Sequence, residues 1–158
     1  MAEMLYKVRS LFSFDINDLF HLGRNLDELR KFAGDKKWRV IKEKDGTILD
    51  YHGDDLLSTT SYIAEMPPHF LRAMVVITGL EAHPFDLTVT LESKGLNKTL
   101  VEYCTRCELP ADYDHEVIRS TIDEFRSALF TEFAKAAKAM EAERRKKETA
   151  APFVDVKD

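Results

Sequence analysis

Cysteine is scarce in this 158-residue sequence, which contains two, Cys104 and Cys107. They lie in VEYCTRCEL, where alternating apolar residues predict a strand, and residues three apart in a strand point to opposite faces. Such a pair cannot chelate one metal ion, and no second cysteine pair completes a zinc site. A redox-active pair would instead stand at the start of a helix. We therefore interpret both cysteines as packed thiols and expect no metal and no cofactor.

Long apolar runs and an excess of positive charge are also missing. No run approaches the roughly 18 residues of a membrane-spanning helix, so stable membrane insertion is not expected. The first residues, MAEMLYKVRS, lack the pattern of a signal peptide, and we predict a cytoplasmic protein. The net charge is −5 and the pI about 5.6. Because nucleic-acid binding requires a basic face, no nucleic-acid partner is expected.

The dominant feature that is present is a long amphipathic helix, predicted from Asp114 to about Glu148. Asp114 can cap its first free backbone N–H groups, and no Gly or Pro interrupts the run. At 1.5 Å per residue the helix would be about 50 Å long, so another layer must cover its apolar stripe. That stripe recurs at steps of three and four residues: Ile118, Ile122, Phe125, Leu129, Phe133, Ala136 and Met140.

The start of the chain predicts a half-buried strand over Leu5–Phe14, followed by helix over Asn17–Ala33. Gly23 offers a stop for a first helical piece. Asn25, with Glu28 three residues later, forms a capping box that would begin a second piece. A single helix that tolerates Gly23 is the competing interpretation.

In the middle of the chain, apolar and polar residues alternate in short runs that are separated by turn residues. This pattern predicts six strands in hairpin succession. Asp45-Gly46 is a strong hairpin turn, and Pro67-Pro68 marks another. The most apolar run should be a central strand. Leu57–Met66 could be an exposed edge that pairs with a copy of itself in a homodimer. The predicted strands are Trp38–Lys44, Thr47–Tyr51, Leu57–Met66, Phe70–Thr78, Phe85–Glu92 and Lys98–Leu109.

The chain is long enough for one domain with a sizeable core. We place that domain at residues 1–143. Residues 144–158, which begin in the all-round charged EAERRKKE, would form a solvated helix end and a flexible tail.

This order of elements resembles the helix-grip superfamily, which includes START lipid-transfer domains, birch-pollen-allergen-like proteins and polyketide cyclase-like proteins. The resemblance rests on LYKVRSLFSFDI, NDLFHLGRNLDELRKF, WRVIKEKDGTILDY and FDLTVTLESKGLNKTLVEYCTRCELP followed by the last helix. It implies an α+β helix-grip fold, in which a seven-stranded curved antiparallel sheet wraps around a long C-terminal helix, with two short helices after strand 1. It also implies a cavity between that helix and the sheet that takes lipids, sterols, polyketides or other apolar molecules. The resemblance assigns no functional residue.

Apolar and aromatic side chains on the predicted inner faces are candidates for ligand contact, although the same pattern also describes a filled core. Tyr62 and Tyr103 are the more informative, because a buried phenol needs a hydrogen-bond partner and can orient a ligand. The predicted ligand-binding residues are Tyr62, Phe85, Val89, Tyr103, Ile122, Phe125, Leu129 and Phe133.

Catalytic and metal-binding signals are weak, and no catalytic residue is assigned. Histidines 21, 69 and 83 would act as acids or bases only if they faced the cavity. HEVIR lacks the second histidine of a zinc-protease helix. The turn that holds Asp50, His52, Asp54 and Asp55 reads as ordinary turn chemistry. Arg72, alone in an apolar strand, should point to solvent.

The sequence therefore favours binding or transport of an apolar or amphipathic, lipid-like small molecule. Two alternatives stay open: a cyclase, dehydratase or hydrolase that uses the same cavity, and a regulator that contacts a protein partner through its charged C-terminal end. Whether the protein is an enzyme is not decided by these residues.

Overall fold

The computed structural model describes residues 1–33, 38–43, 46–51 and 56–150, and for residues 30, 33, 38–43, 46–51, 56–59 and 147–150 it describes the backbone alone. The elements in chain order are β1 (Ala2–Phe12), α1 (Ile16–Arg24), α2 (Leu26–Ala33), β2 (Trp38–Glu43), β3 (Gly46–Tyr51), β4 (Leu56–Met66), β5 (Phe70–Ile77), β6 (Phe85–Gly95), β7 (Lys98–Leu109) and α3 (His115–Ala150). The predicted class, an α+β protein with a curved antiparallel sheet around a long C-terminal helix, is confirmed.

The strands form one antiparallel sheet in the order β1-β7-β6-β5-β4-β3-β2. Five of them, β1 and β4 to β7, carry side chains that the structure describes. The outermost strands of this order are β1 and β2, and β4 is paired on both sides, by β3 and β5. The expectation that Leu57–Met66 is an exposed edge is therefore wrong, since hairpin succession places that segment inside the sheet.

Alternation along the strands divides the sheet into an inner face and an outer face. Along β7, Val101, Tyr103, Thr105 and Cys107 are buried, while Cys104 on the other face is half-buried. Both cysteines are free, and burial raises the pKa of the Cys107 thiol to about 11. A thiol with so high a pKa is a poor nucleophile at neutral pH, in agreement with the interpretation of packed thiols.

Several strand ends differ from the sequence prediction. β1 begins at Ala2 and ends at Phe12, and β6 continues to Gly95, past the predicted end at Glu92. The β6–β7 turn then takes positive φ at Gly95 (138°) and Asn97 (52°), where Gly and Asn are tolerated best. The turn is thus shorter than predicted, because pairing persists until the residues that can reverse the chain.

The predicted break between two short helices is confirmed, but it falls at Asn25 and not at Gly23, which lies inside α1. The Asn25 amide nitrogen donates back to the His21 carbonyl oxygen at 2.9 Å and so closes the end of α1. The Asn25 backbone carbonyl, not its side chain, accepts from the Glu28 N–H at 2.9 Å. The expected capping box gives way because a side-chain amide can donate at a helix end as readily as it accepts at a helix start.

The predicted cap of the long helix is confirmed. The Asp114 carboxylate accepts from the Glu116 and Val117 backbone N–H groups at 3.1 and 3.2 Å. The exposed Val117 and half-buried Ile118 belong to the first turns, whereas Ile122 is buried. The apolar stripe thus enters the core about two turns into α3.

The second half of α3 packs against the two short helices. Ala136 and Ala137 are fully buried in a core cluster with α1 and α2 residues, and Met140 packs against the same cluster. Their small side chains let the helices approach closely. Further along, Arg144 donates to both carboxylate oxygens of the buried Asp18 in α1, at 2.8 and 3.1 Å. The charged end of the helix therefore makes at least one specific contact with the domain.

None of the helices in the described part of the chain is both long and apolar enough to cross a membrane.

Candidate functional site

A cavity of about 100 Å³ lies between the inner face of the sheet and the three helices. Strands β4 to β7 form its floor, α3 covers it, and α1 and α2 close one side. Its lining is formed almost wholly by apolar side chains: Phe12, Leu19, Phe20, Leu26, Leu71, Ala73, Val75, Leu87, Val89, Leu91, Val101, Phe125, Leu129, Phe130 and Phe133, together with Gly23, Thr60, Tyr62 and Tyr103.

The cavity exists because α3 does not fill the space above the sheet. Phe125, Leu129 and Phe133 point inward on one stripe, yet each is only half-buried. Opposite them, Ala73 contributes just a methyl group at the middle of β5 and is fully buried. Half-buried rings above a small residue leave a gap that closer packing would have removed.

Six of the eight predicted contact residues line this cavity: Tyr62, Val89, Tyr103, Phe125, Leu129 and Phe133. The other two, Phe85 and Ile122, do not. They border a second void of about 20 Å³, together with Val75, Ile77, Tyr103, Thr105, Thr121 and Phe125. Phe85 and Ile122 are 1% and 4% exposed and belong to the core cluster around this void, so their contact with a ligand stays a prediction.

Tyr62 joins the sheet to the end of α1. Its hydroxyl donates to the Gly23 carbonyl oxygen at 2.7 Å, one of the carbonyls that a helix end leaves free. The Arg24 guanidinium stacks over the Tyr62 ring at 4.2 Å and pairs with Glu65 at 2.7 Å. Burial raises the pKa of Tyr62 to about 12, so the phenol stays neutral at physiological pH and can act only as a hydrogen-bonding group.

Tyr103 stands on β7, three strands away from Tyr62 across the sheet. Its ring packs edge-on against Tyr6 and Phe130, with centroid distances of 6.3 and 5.9 Å. The residue is 6% exposed and lines both the main cavity and the smaller void. Burial raises its pKa, and its hydroxyl has no hydrogen-bond partner among the residues that the structure describes.

Thr105, two residues further along the inner face of β7, borders the smaller void. It is 3% exposed, and its hydroxyl also lacks a hydrogen-bond partner in the described part of the chain. Thr121 of α3 borders the same void and donates to the Val117 carbonyl oxygen at 2.9 Å, which leaves its oxygen able to accept.

A polar cluster links β1 to α3 beside the Tyr103 ring. The Tyr6 hydroxyl donates to the Asp123 carboxylate, and Arg126 donates to the Tyr6 oxygen at 3.0 Å and to Asp123 at 2.8 Å. Burial, and then the bond to Asp123, raises the pKa of Tyr6, whereas the Tyr6 and Arg126 bonds lower that of Asp123. Sequence alone did not single out this cluster, since Tyr6 is more than a hundred residues from Asp123 and Arg126.

The remaining candidates lie away from the cavity. His21 is bonded to Asn25, His69 faces the Leu91 carbonyl oxygen, and His83 packs edge-on against Tyr113. Arg72 points outward, as predicted, and forms a two-point ion pair with Asp86 at 3.0 and 2.8 Å.

No group of three or more potential metal ligands occurs within the described residues. His52, Asp54 and Asp55 lie outside them, as does the side chain of Asp50.

The contribution of α1 and α2 to the site was not predicted. Leu19, Phe20 and Leu26 all face the cavity, and Leu26 begins α2 directly after the break. Their apolar stripe was visible in the sequence, but the stripe could not tell whether the helices lie across the sheet or beside it. Residues on both sides of the break at Asn25 thus line the cavity.

The lining can provide apolar contact and neutral hydrogen bonds. Its polar groups within the described residues are the hydroxyls of Thr60, Tyr62 and Tyr103 and the backbone at Gly23. None of these groups gains or loses a proton near neutral pH. The arrangement therefore suits the retention of an apolar molecule better than acid–base chemistry.

No protein-family model matches the sequence, and no curated protein matches it. Solved structures do resemble the fold. A START superfamily protein from Mycobacterium smegmatis is 9% identical, with a TM-score of 0.65 over 86% of this chain and 98% of that one. A norcoclaurine synthase mutant from Thalictrum, in complex with a transition-state analogue, is 13% identical, with a TM-score of 0.62 over 90% and 97%. An HSP90 activator from Plasmodium falciparum is 15% identical, with a TM-score of 0.51 over 69% and 76%.

These similarities confirm the helix-grip fold that the sequence suggested. At such low identity they establish the fold alone, and the three named proteins differ in what they do.

Proposed function

We propose that the protein binds an apolar or amphipathic small molecule in the cavity between α3 and the sheet. The observation that supports this proposal is the cavity itself: an almost wholly apolar space between the helices and the sheet, lined by members of both core clusters. Apolar cavities of this kind stay dry and take apolar guests, because a water molecule would find too few hydrogen-bond partners inside.

The volume limits the size of the guest. A cavity of about 100 Å³ is smaller than the roughly 300–1,000 Å³ of pockets that hold drug-sized ligands, and nearer to the roughly 150 Å³ that holds benzene. In this conformation the guest is a single ring or a short acyl chain. A complete lipid would enter only if α2 and the half-buried side chains of α3 moved outward.

The START-like protein and the norcoclaurine synthase mutant among the structural neighbours are compatible with a small-molecule role. Between binding and catalysis, we favour binding, because the described lining carries no carboxylate, imidazole or amine that could move a proton at neutral pH.

Toluene provides a direct test, since it is a single ring without a polar atom. We expect saturable chemical-shift changes in an NMR titration, centred on Ala73, Val89 and Leu129. The variant Ala73→Leu, which fills the cavity from its floor, should abolish these changes while keeping the fold.

Ala64→Leu is the matched control, because Ala64 is an exposed alanine on the neighbouring strand. It should bind toluene as the wild type does. Absence of saturable binding to the wild type, or equal binding to Ala73→Leu, would contradict the proposal.

A further inference from the structure

The smaller void beside the cavity has an unusual lining for so small a space. It is bordered by three hydroxyl-bearing residues, Tyr103, Thr105 and Thr121. Within the described residues, the Thr105 hydroxyl is buried without a hydrogen-bond partner, and the Tyr103 hydroxyl forms no hydrogen bond. Buried polar groups are normally hydrogen-bonded, because an unmet hydroxyl loses its bonds to water and gains nothing in return. The buried Thr105 hydroxyl, with Tyr103 two residues away in the lining of the same void, indicates that this void suits a polar group of a ligand.

The void and the main cavity are neighbours. Val75, Tyr103 and Phe125 belong to the lining of both, so they form the boundary between an apolar chamber and a polar recess. Of the three, Phe125 is half-buried and stands on α3. The Tyr103 ring reaches from one space to the other.

Size and charge define what fits the recess. Its volume of about 20 Å³ exceeds the roughly 10–15 Å³ that one water-sized oxygen needs, but a carboxylate or phosphate is larger. Arg126, whose charge acts on Tyr103, already bonds to Tyr6 and Asp123. A charged group would therefore be buried without compensation, which is strongly unfavourable.

We propose that the recess receives one neutral oxygen, a hydroxyl or a carbonyl, at the end of a ligand whose apolar ring or chain occupies the main cavity. This proposal rests on the proposed function and narrows its ligand class. Thr105 and Tyr103 donate to or accept from that oxygen, and the Thr121 oxygen accepts a further hydrogen bond. Tyr62, at the far side of the cavity, already bonds to Gly23 and is not needed to hold the ligand.

Phenol and toluene test this assignment, because they have the same shape and differ by a hydroxyl in place of a methyl group. Dissociation constants for both would be measured by NMR titration on the wild type and on Thr105→Val and Tyr103→Phe, each of which removes a hydroxyl and keeps the shape nearly unchanged. Loss of one hydrogen bond should weaken phenol binding roughly two- to tenfold in each variant. Toluene binding should change by less than about twofold.

Thr99→Val is the matched control. Thr99 lies on the same strand and is fully buried, but its hydroxyl donates to the Phe14 carbonyl oxygen at 2.8 Å and borders neither space. This variant should leave the ratio of the two dissociation constants unchanged.

The outcomes separate the two proposals. If toluene binds but phenol and toluene respond equally to Thr105→Val and Tyr103→Phe, the recess assignment is overturned and the binding function stands. The recess assignment is also overturned if the recess holds only a water molecule. In that case Thr105→Val lowers the stability of the protein but leaves the ratio of the phenol and toluene dissociation constants unchanged. If neither compound binds the wild type, both proposals fail.

Discussion

At the scale of single residues, the hydrogen-bond partners of three tyrosine hydroxyls distinguish structural positions in the interior from a candidate ligand contact. Tyr6, Tyr62 and Tyr103 all come from inner-face positions, and burial raises the pKa of each. Two of them have protein partners for their hydroxyls, Asp123 for Tyr6 and the Gly23 carbonyl for Tyr62. The Tyr103 hydroxyl has no partner among the described residues, and it is therefore the tyrosine hydroxyl that we assign to the proposed recess.

The raised pKa of Tyr62 predicts a loss of stability in alkali. An unfolded tyrosine ionises near pH 10, whereas folded Tyr62 does so at about 12. Between these values the unfolded state holds fewer protons, so the free energy of unfolding falls as the pH rises. One such group contributes a slope of at most about 1.4 kcal/mol per pH unit.

Urea unfolding at pH 9, 10 and 11 would measure this slope. Tyr62→Phe should be less stable than the wild type at pH 9, since it loses the bond to Gly23, but its stability should fall less steeply above pH 10. Parallel curves for the two proteins would show that Tyr62 does not have the expected pKa.

At the scale of elements, the end of α3 is more firmly attached than its composition suggests. Arg144 bonds to Asp18, which is 8% exposed, so the loss of Arg144 leaves a buried carboxylate with fewer donors. We expect Arg144→Ala to lower the free energy of unfolding by about 1 kcal/mol, a modest value because the arginine is half exposed and water screens the pair.

Lys138→Ala, at an exposed position of the same helix, is the control and should change stability by less than about 0.5 kcal/mol. Chemical denaturation would measure the free energy of unfolding of both variants. Equal effects would mean that the helix end is held by something other than this ion pair.

The elements also show what can be predicted from sequence and what cannot. Alternation placed Tyr103 and Cys107 on the inner face and Arg72 on the outer face, because strand geometry leaves no other choice. The cap at Asp114 was predictable for the same local reason. The position of the break at Asn25 was not, since an amide can serve either helix end.

Some residues of the site could likewise be predicted from the sequence, and others could not. The members on α3 and β7 were predicted from their periodicity, but Leu19 and Phe20 depend on where α1 lies over the sheet. Phe125 lines the main cavity, whereas Ile122 borders only the smaller void, and this difference depends on how the neighbouring side chains pack. Nor does any pattern in the sequence tell whether the Thr105 hydroxyl has a partner.

At the scale of the whole molecule, two core clusters meet along the cavity. One joins α1, α2 and the C-terminal half of α3 to the sheet, the other joins β1, β5, β6 and β7 to the first half of α3, and Phe130 and Val89 contact both. The Phe130 ring packs against Phe12 and Tyr103 at 5.2 and 5.9 Å and carries the Arg126 guanidinium over its face at 5.2 Å. Removing this ring should weaken both clusters together.

We therefore expect Phe130→Ala to reduce the free energy of unfolding by about 3 kcal/mol. The same change enlarges the cavity, so a two-ring compound such as naphthalene should bind the variant and not the wild type. Urea unfolding and NMR titration give the two readouts. Phe14→Ala, at a partly buried ring that contacts one cluster alone, should cost less and should not admit naphthalene.

The cavity also bears on how the molecule responds to compression. A void of about 100 Å³ per molecule corresponds to about 60 mL/mol, of the same order as the whole volume change of unfolding in typical proteins. Unfolding lets water occupy that space, so the unfolded chain and its solvent take up less room than the folded state. Hydrostatic pressure should then denature the empty protein readily, and a ligand that occupies the cavity should make it resistant.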